Sequence, residues 1–243
     1  MAQLELFLFD MAGTTVVDNG DVYNAFLKTV EECRIQATGD EVLEWMGRRK
    51  RDVFEHFLTR QLGADAPNLE EAIDEAYAHF RGCLEAHYRN EPVSAIGGAE
   101  ALFASLRERG IKVALTTGFY RVVADIILGR LGWDRGLDGQ YLGGDDSVID
   151  ASVCADDVPL GRPAPYMIHE AMRRLGVLDI HGVGNAGDTK VDLLSAYHAG
   201  CPINVGVLSG SYDEETLKQF PHTHIVASIA DLPPIVDAFH GDS

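Results

Sequence analysis

No apolar run in these 243 residues approaches the roughly 20 that span a bilayer, and the first ten residues carry neither a basic leader nor a small-residue cleavage site. A cytoplasmic chain with no membrane contact is expected. Basic residues are scarce: 20 Lys and Arg stand against 38 Asp and Glu, a formal charge of −18 with a pI near 4.7. That balance argues against nucleic acid and membrane surfaces as partners, and an anionic ligand must be met by a local cluster of charge. Cysteine is scarce too. Cys33, Cys83, Cys154 and Cys201 lie far apart with no C-x-x-C pair, which predicts free thiols rather than a disulfide framework or a zinc knuckle. What is present, 46% hydrophobic and 24% charged residues, suits a globular chain with one good core and a smaller second one. No internal repeat or low-complexity stretch occurs.

Residues 4–9 form a short apolar run with one acid, followed at once by Asp10 and the turn Gly13-Thr14-Thr15. This reads as a buried parallel strand ending in a loop. Over residues 21–90 the spacing is helical, with breaks near Thr38-Gly39, Gly47 and Gly63 to Pro67. Asn68 with Glu71 three residues on has capping-box spacing and predicts the start of the last helix there. After Glu91-Pro92 strands and helices alternate. Helices are expected at 98–109, 120–131, after Pro163 and at 190–199, and strands at 112–117, 182–186, 203–207 and 223–226. Such alternation predicts an α/β fold with a parallel sheet and ligands at the carboxyl ends of its strands. The core is split in sequence, residues 1–17 and 93–243, around an all-helical cap domain at 18–92 that should sit as a lid above Asp10.

Four segments could carry chemistry. Asp10 projects from a strand end, and Gly13-Thr14-Thr15 beyond it offers N–H groups and hydroxyls to phosphate oxygens. Taken alone it is equally a helix-capping Asp. Thr116-Thr117-Gly118 puts a hydroxyl at a second strand end, with a glycine that lets backbone approach a ligand. Arg162 stands before a helix whose start is fixed by prolines, where a cation can meet a phosphate. Asp188 and Asp192 are four apart at a strand end and a first helical turn, an oxygen-rich pair for a hard cation such as Mg²⁺ or else a complement to the helix dipole. His222 and His224 fit an ordinary strand edge better than a metal site. Trp45, Phe54 and Phe57 read as cap packing.

Asp10-Met11-Ala12-Gly13-Thr14, the strand-end Thr117, Arg162, and Gly187-Asp188 with Asp192, in that order, resemble the haloacid dehalogenase-like hydrolase superfamily. The resemblance implies a Rossmann-like parallel-sheet core with a helical cap inserted after the first motif, and a first Asp that becomes phosphorylated. Most relatives carry a second Asp two residues on to protonate the leaving group, where this chain has Ala12. An alanine supplies no proton, so a phosphate ester is a poor substrate. The phosphonoacetaldehyde hydrolase (phosphonatase) branch has this replacement. Phe9 to Thr15, the run Asp156-Asp157-Val158-Pro159-Leu160-Gly161-Arg162-Pro163, and Met46-Gly47-Arg48-Arg49-Lys50 are similar to it.

That resemblance implies Mg²⁺ held by Asp10, the Ala12 carbonyl and Asp188, with Asp192 nearby. It also implies a phosphoryl group held by Thr14, Thr117, Gly118 and Arg162, Met46 as a cap contact, and Lys50 as the amine that forms a Schiff base. Cleaving a P–C bond expels a carbanion, and an iminium on Lys50 gives its electrons somewhere to go. For Lys50 to be neutral its usual pKa of about 10.4 must fall, and the adjacent Arg48, Arg49 and Arg51 are expected to help. Val53 stands where the branch carries a proton-moving histidine, with His56 as the nearest substitute, and Phe119 stands where it carries tyrosine. A homodimer through cap helices is implied by resemblance only. The rival readings are a phosphatase or phosphomutase acting on small phosphate esters, and a non-catalytic phosphate-binding protein.

Overall fold

A computed structural model describes residues 3–241. Strand β1 (Leu6–Asp10) leads into four helices, α1 (Asp21–Glu32), α2 (Gly39–Glu44), α3 (Lys50–Leu62) and α4 (Leu69–Asn90). The chain continues through α5 (Ala99–Glu108), β2 (Lys112–Thr117), α6 (Arg121–Leu131), β3 (Ala151–Cys154), α7 (Tyr166–Leu175) and β4 (Val183–Gly187). It ends with α8 (Lys190–Ala199), β5 (Ile203–Val207), α9 (Glu214–Leu217), β6 (His224–Val226) and α10 (Pro233–Gly241). All six strands are parallel, in the order β3-β2-β1-β4-β5-β6. The order reverses between β1 and β4, and sheets of this kind hold ligands in the crevice outside the carboxyl ends at that point.

A central parallel strand is buried on both faces, which is why β1 is an unbroken apolar run. Its alternate residues serve two layers. Phe7 and Phe9 stack at 4.8 Å and continue through Phe103 (5.3 Å from Phe9) to Trp133, against α5 and α6. Leu6 and Leu8 face the opposite layer with Met167, Ile168 and Ala171 of α7. Burying a side chain of this size stabilises by about 1.5–3 kcal/mol. In the helical insert Phe26, Phe54 and Phe80 meet at 4.4–5.5 Å, so α1, α3 and α4 share an aromatic centre. Phe57 is buried beside them, and Trp45 is half-buried.

The insert leaves and rejoins the sheet at one place. Val17 N–H donates to the Ser94 carbonyl (2.9 Å) and Ile96 N–H to that of Thr15 (2.8 Å), pairing the two linking segments side by side. All four cysteines are free thiols. Among the described residues no helix is long and apolar enough to cross a membrane.

Two local expectations differ from the structure. Asn68 does precede α4, but its side chain makes no capping bond. The capping box falls instead at Thr38 and Glu41, each side chain accepting from the other's backbone N–H at 3.2 and 2.8 Å. Strand β3 was not anticipated, because Ala-Ser-Val-Cys has no apolar run; its burial comes from lying between β2 and α7.

Candidate active site

The strand register builds the site. Asp10, the last residue of β1, pairs with Thr116 on β2, and Phe9 pairs with Ala186 on β4, so Asp188 follows just beyond the sheet edge beside Asp10. Arg162, 5% exposed, comes up from the turn before α7. One guanidinium nitrogen pairs with both Asp10 Oδ1 and Asp192 Oδ1, the latter at 2.7 Å. The other donates to Thr116 Oγ1 at 2.5 Å. Asp192 also caps α8, accepting from Thr189 N–H and Oγ1 at 3.1 and 2.5 Å. The expectation that Asp192 stands by a metal is met by a different arrangement: its oxygens are committed to Arg162 and to the helix start. Removing either partner of such a buried pair costs about 3–5 kcal/mol.

Burial pushes Asp10 up to about 6, with Arg162 pulling it down and Asp192 adding to the rise. Burial, with Asp10 and Asp192 close by, also holds Asp188 well above the usual carboxylate range. Asp188 Oδ2 accepts from Ser211 N–H at 2.7 Å, and Oδ1 accepts from the Thr14 hydroxyl at 3.4 Å. Thr14 is therefore turned to Asp188 and stands behind the cavity wall. The turn after β1 closes through Thr14, Thr15 and Val16 N–H donating to the Met11 carbonyl, and none of its bonds uses the Ala12 carbonyl. Two desolvated carboxylates and a free carbonyl oxygen suit a hard dication that keeps several waters. Among the described residues no group of three or more His, Cys, Asp or Glu is placed to hold a metal ion.

A cavity of about 20 Å³ lies over Asp10 and is lined by Ala12, Asp18, Met46, Lys50, Thr117, Gly118 and Phe119, with Asp188 beyond. A larger open cavity of about 510 Å³ sits at Arg107 and Lys112, at the amino end of β2, and its Arg107 is paired with Asp150 at 3.1 Å. The chemistry belongs at the carboxyl edge. The cap is seated directly on that edge. A Cβ on Gly118 would lie 2.6 and 2.7 Å from the carbonyls of Gly47 and Arg48, and one on Gly47 (φ +79°) would run into Thr189. Only backbone without side chains allows this approach.

Lys50, the first residue of α3, is 5% exposed. Its Nζ lies 5.2 Å from the Phe119 ring centre and 5.7 Å from that of Phe26, and it makes no hydrogen bond or ion pair among the described residues. Burial lowers its pKa to about 8; Asp10 and Asp18 oppose this and Arg162 adds to it. The expectation that neighbouring arginines depress Lys50 is corrected by the geometry. Arg48 lies over the Trp45 ring at 4.4 Å, Arg49 faces Asp156 at 3.8 Å, and Arg51 binds Glu70 and Asp74 at 2.7 and 2.9 Å. Arg48 and Arg49 lie in the turn before α3 and Arg51 on its first turn, and each of the three is engaged elsewhere than at Lys50.

Asp10, Ala12, Met46, Lys50, Thr117, Gly118 and Asp188 all reach one cavity wall, while Thr14, Arg162 and Asp192 support it from behind. The hydroxyl that meets Arg162 belongs to Thr116; that of Thr117 accepts from Phe119 N–H at 3.1 Å. His56 is not a substitute for the missing histidine. It is exposed on the outer cap, stacked on Trp45 at 4.0 Å, while Val53 is buried in cap packing. Sequence reasoning missed Asp18 and Ser211. Asp18 was visible only as an acid shortly before a helix.

Residues 4–200 match the haloacid dehalogenase-like hydrolase family, and the chain belongs to it. Within that class it is similar to the phosphonoacetaldehyde hydrolase of Bacillus cereus, 32% identical over 218 residues covering 86% of this chain and 77% of that protein. The fold is shared with a phosphonoacetaldehyde hydrolase-like protein from Oleispira antarctica (TM-score 0.78, 22% identity, 99% and 94% of the two chains). A hydrolase from Pseudomonas syringae is similar to the same degree (TM-score 0.76, 22% identity, 96% and 98%).

Proposed function

We propose that this chain hydrolyses the P–C bond of phosphonoacetaldehyde or a close 2-oxoethylphosphonate, such as its hydroxylated analogue, releasing an aldehyde and phosphate. The observation that carries this reading is Lys50: a buried amine with no ion pair among the described residues, facing the same cavity as the Asp10 carboxylate. Such an amine suits imine formation, and Ala12 lacks the acid that an alkoxide leaving group needs. The similarity to phosphonoacetaldehyde hydrolases supports the same substrate class.

Neutral Lys50 adds to the aldehyde carbon, and loss of water leaves an iminium. Asp10, held anionic and oriented by Arg162, attacks phosphorus. The P–C bonding electrons move into the iminium, giving an enamine on Lys50 and an acyl phosphate on Asp10. The enamine takes a proton on carbon and water releases the aldehyde; a second water hydrolyses the aspartyl phosphate. Asp10, the Ala12 carbonyl and Asp188 would hold Mg²⁺, which would supply neutralisation of phosphoryl charge. Thr117 and Gly118 face the reacting group from β2, and seating of the cap brings Lys50 to Asp10.

The test is phosphate release from phosphonoacetaldehyde, its hydroxylated analogue and an aryl phosphate, by wild type and Lys50→Arg with Mg²⁺. Phosphonate cleavage by wild type alone is expected. Equal rates for the two proteins, or release from the aryl phosphate only, would leave a phosphatase or phosphomutase of small phosphate esters as the better reading.

A further inference from the structure

An imine cannot form without proton transfer. The adduct's oxygen must be protonated to leave as water, and the water that later frees the aldehyde must lose a proton. No histidine lines the cavity among the described residues. Of its three carboxylates, Asp10 is held by Arg162, and both oxygens of Asp188 accept bonds, from Ser211 and Thr14. The third is Asp18. Its Oδ1 accepts from Asp21 and Val22 N–H at 2.7 and 3.4 Å, which fixes the carboxyl at the start of α1. Its Oδ2 has no partner among the described residues. Asp18 and Lys50 line the same cavity, and no ion pair joins them among the described residues.

We infer that Asp18 is the proton-transfer group for Schiff-base chemistry at Lys50, an inference that rests on the proposed phosphonatase reading. Protonated Asp18 gives its proton through Oδ2 to the hydroxyl of the Lys50 adduct. Water leaves, the nitrogen lone pair closes the iminium, and Asp18 becomes a carboxylate. After P–C cleavage the enamine carbon takes a proton from solvent, one that hydrolysis of the aspartyl phosphate returns; the Asp18 carboxylate then takes a proton from the water that attacks the iminium, and the starting state returns. Burial raises the pKa of Asp18 from its ordinary value, against the bonds from Asp21 and Val22 N–H, a shift in the direction proton donation needs.

The experiment compares wild type, Asp18→Asn and Asp18→Glu by steady-state kinetics on phosphonoacetaldehyde and by the rate at which borohydride traps label on Lys50. Asn keeps the Oδ1 acceptor at the start of α1, so a matching melting temperature is expected. The kcat of Asp18→Asn should fall roughly 100-fold with KM little changed, trapping should slow in parallel, and Asp18→Glu should recover part of the loss. If wild type is trapped on Lys50 while Asp18→Asn traps and turns over at the wild-type rate, Asp18 has no such role and the proposed function stands. If wild type is not trapped at all, that function fails first. Should Asp18→Asn not fold, Asp18→Ser, which retains a capping oxygen, carries the same comparison.

Discussion

Replacing Lys50 by methionine keeps an unbranched side chain against Phe26 and Phe119 and removes only the amine. Burial has lowered this amine from 10.5 to about 8, which corresponds to about 3 kcal/mol of penalty for charging it in the folded state. The unfolded chain releases the same proton near pH 10.4. Below pH 8 both states are protonated and the full penalty applies. Between about 8 and 10.4 the unfolded state binds more protons, so wild-type stability rises with pH. Above that range the penalty is gone. Lys50→Met should therefore be more stable than wild type at pH 7 by about 3 kcal/mol, roughly 6–12 °C in melting temperature for a chain of this size, and should lose that advantage between pH 8 and 10.5. Other tyrosines and lysines titrate alike in both proteins and cancel in the difference. Thermal melts of the two across pH 6.5 to 11 decide the matter. A stability difference that does not change with pH would mean that Lys50 is not a desolvated charge. The same depression leaves about 300-fold more neutral amine at pH 7 than an ordinary lysine has, so phosphonate cleavage should climb toward pH 8.

Two further variants probe the neighbouring walls. Ala12→Asp places a carboxyl beside Asp10 where a departing alkoxide could be protonated, and alkyl-phosphate hydrolysis is expected to rise at least tenfold while phosphonate cleavage does not; unchanged ester hydrolysis would show that the acid alone does not limit that reaction. Gly118→Ala drives a methyl into the Gly47 and Arg48 carbonyls and lifts the Lys50 turn from the sheet. A drop of roughly 100-fold in kcat/KM is expected from a displacement near 1 Å, and wild-type kinetics for this variant would mean the contact is not needed for reaction.

What could be read from the chain followed from how each feature is built. The strands at 112–117 and 203–207 and the helix at 190–199 were legible to the residue, because apolar runs and helix starts are local properties. The four-residue strand β3 was not, since its burial is conferred by partners distant in sequence. In the site, Asp10 and Asp188 stood out by spacing and type, and Lys50 only through the resemblance of its stretch to phosphonatases. Which of Thr116 and Thr117 meets Arg162 depends on the pleat of β2, where successive side chains face opposite ways. The surroundings of Lys50 were misread for a related reason. Three arginines adjacent in sequence are spread around a helix start, and the groups that set its charge state come from β1, the loop before α1 and the turn before α7. Asp18 could not be told from an ordinary helix-start acid until the fold placed it on the cavity wall.

The bare contact between Gly118 and the 47–48 turn has a kinetic consequence. A chamber of about 20 Å³ holds about one water molecule, too little for a phosphonate, so its walls would have to move apart to admit one. If parting of this contact accompanies each turnover of the proposed reaction, thickening the solvent with glycerol or sucrose should slow it.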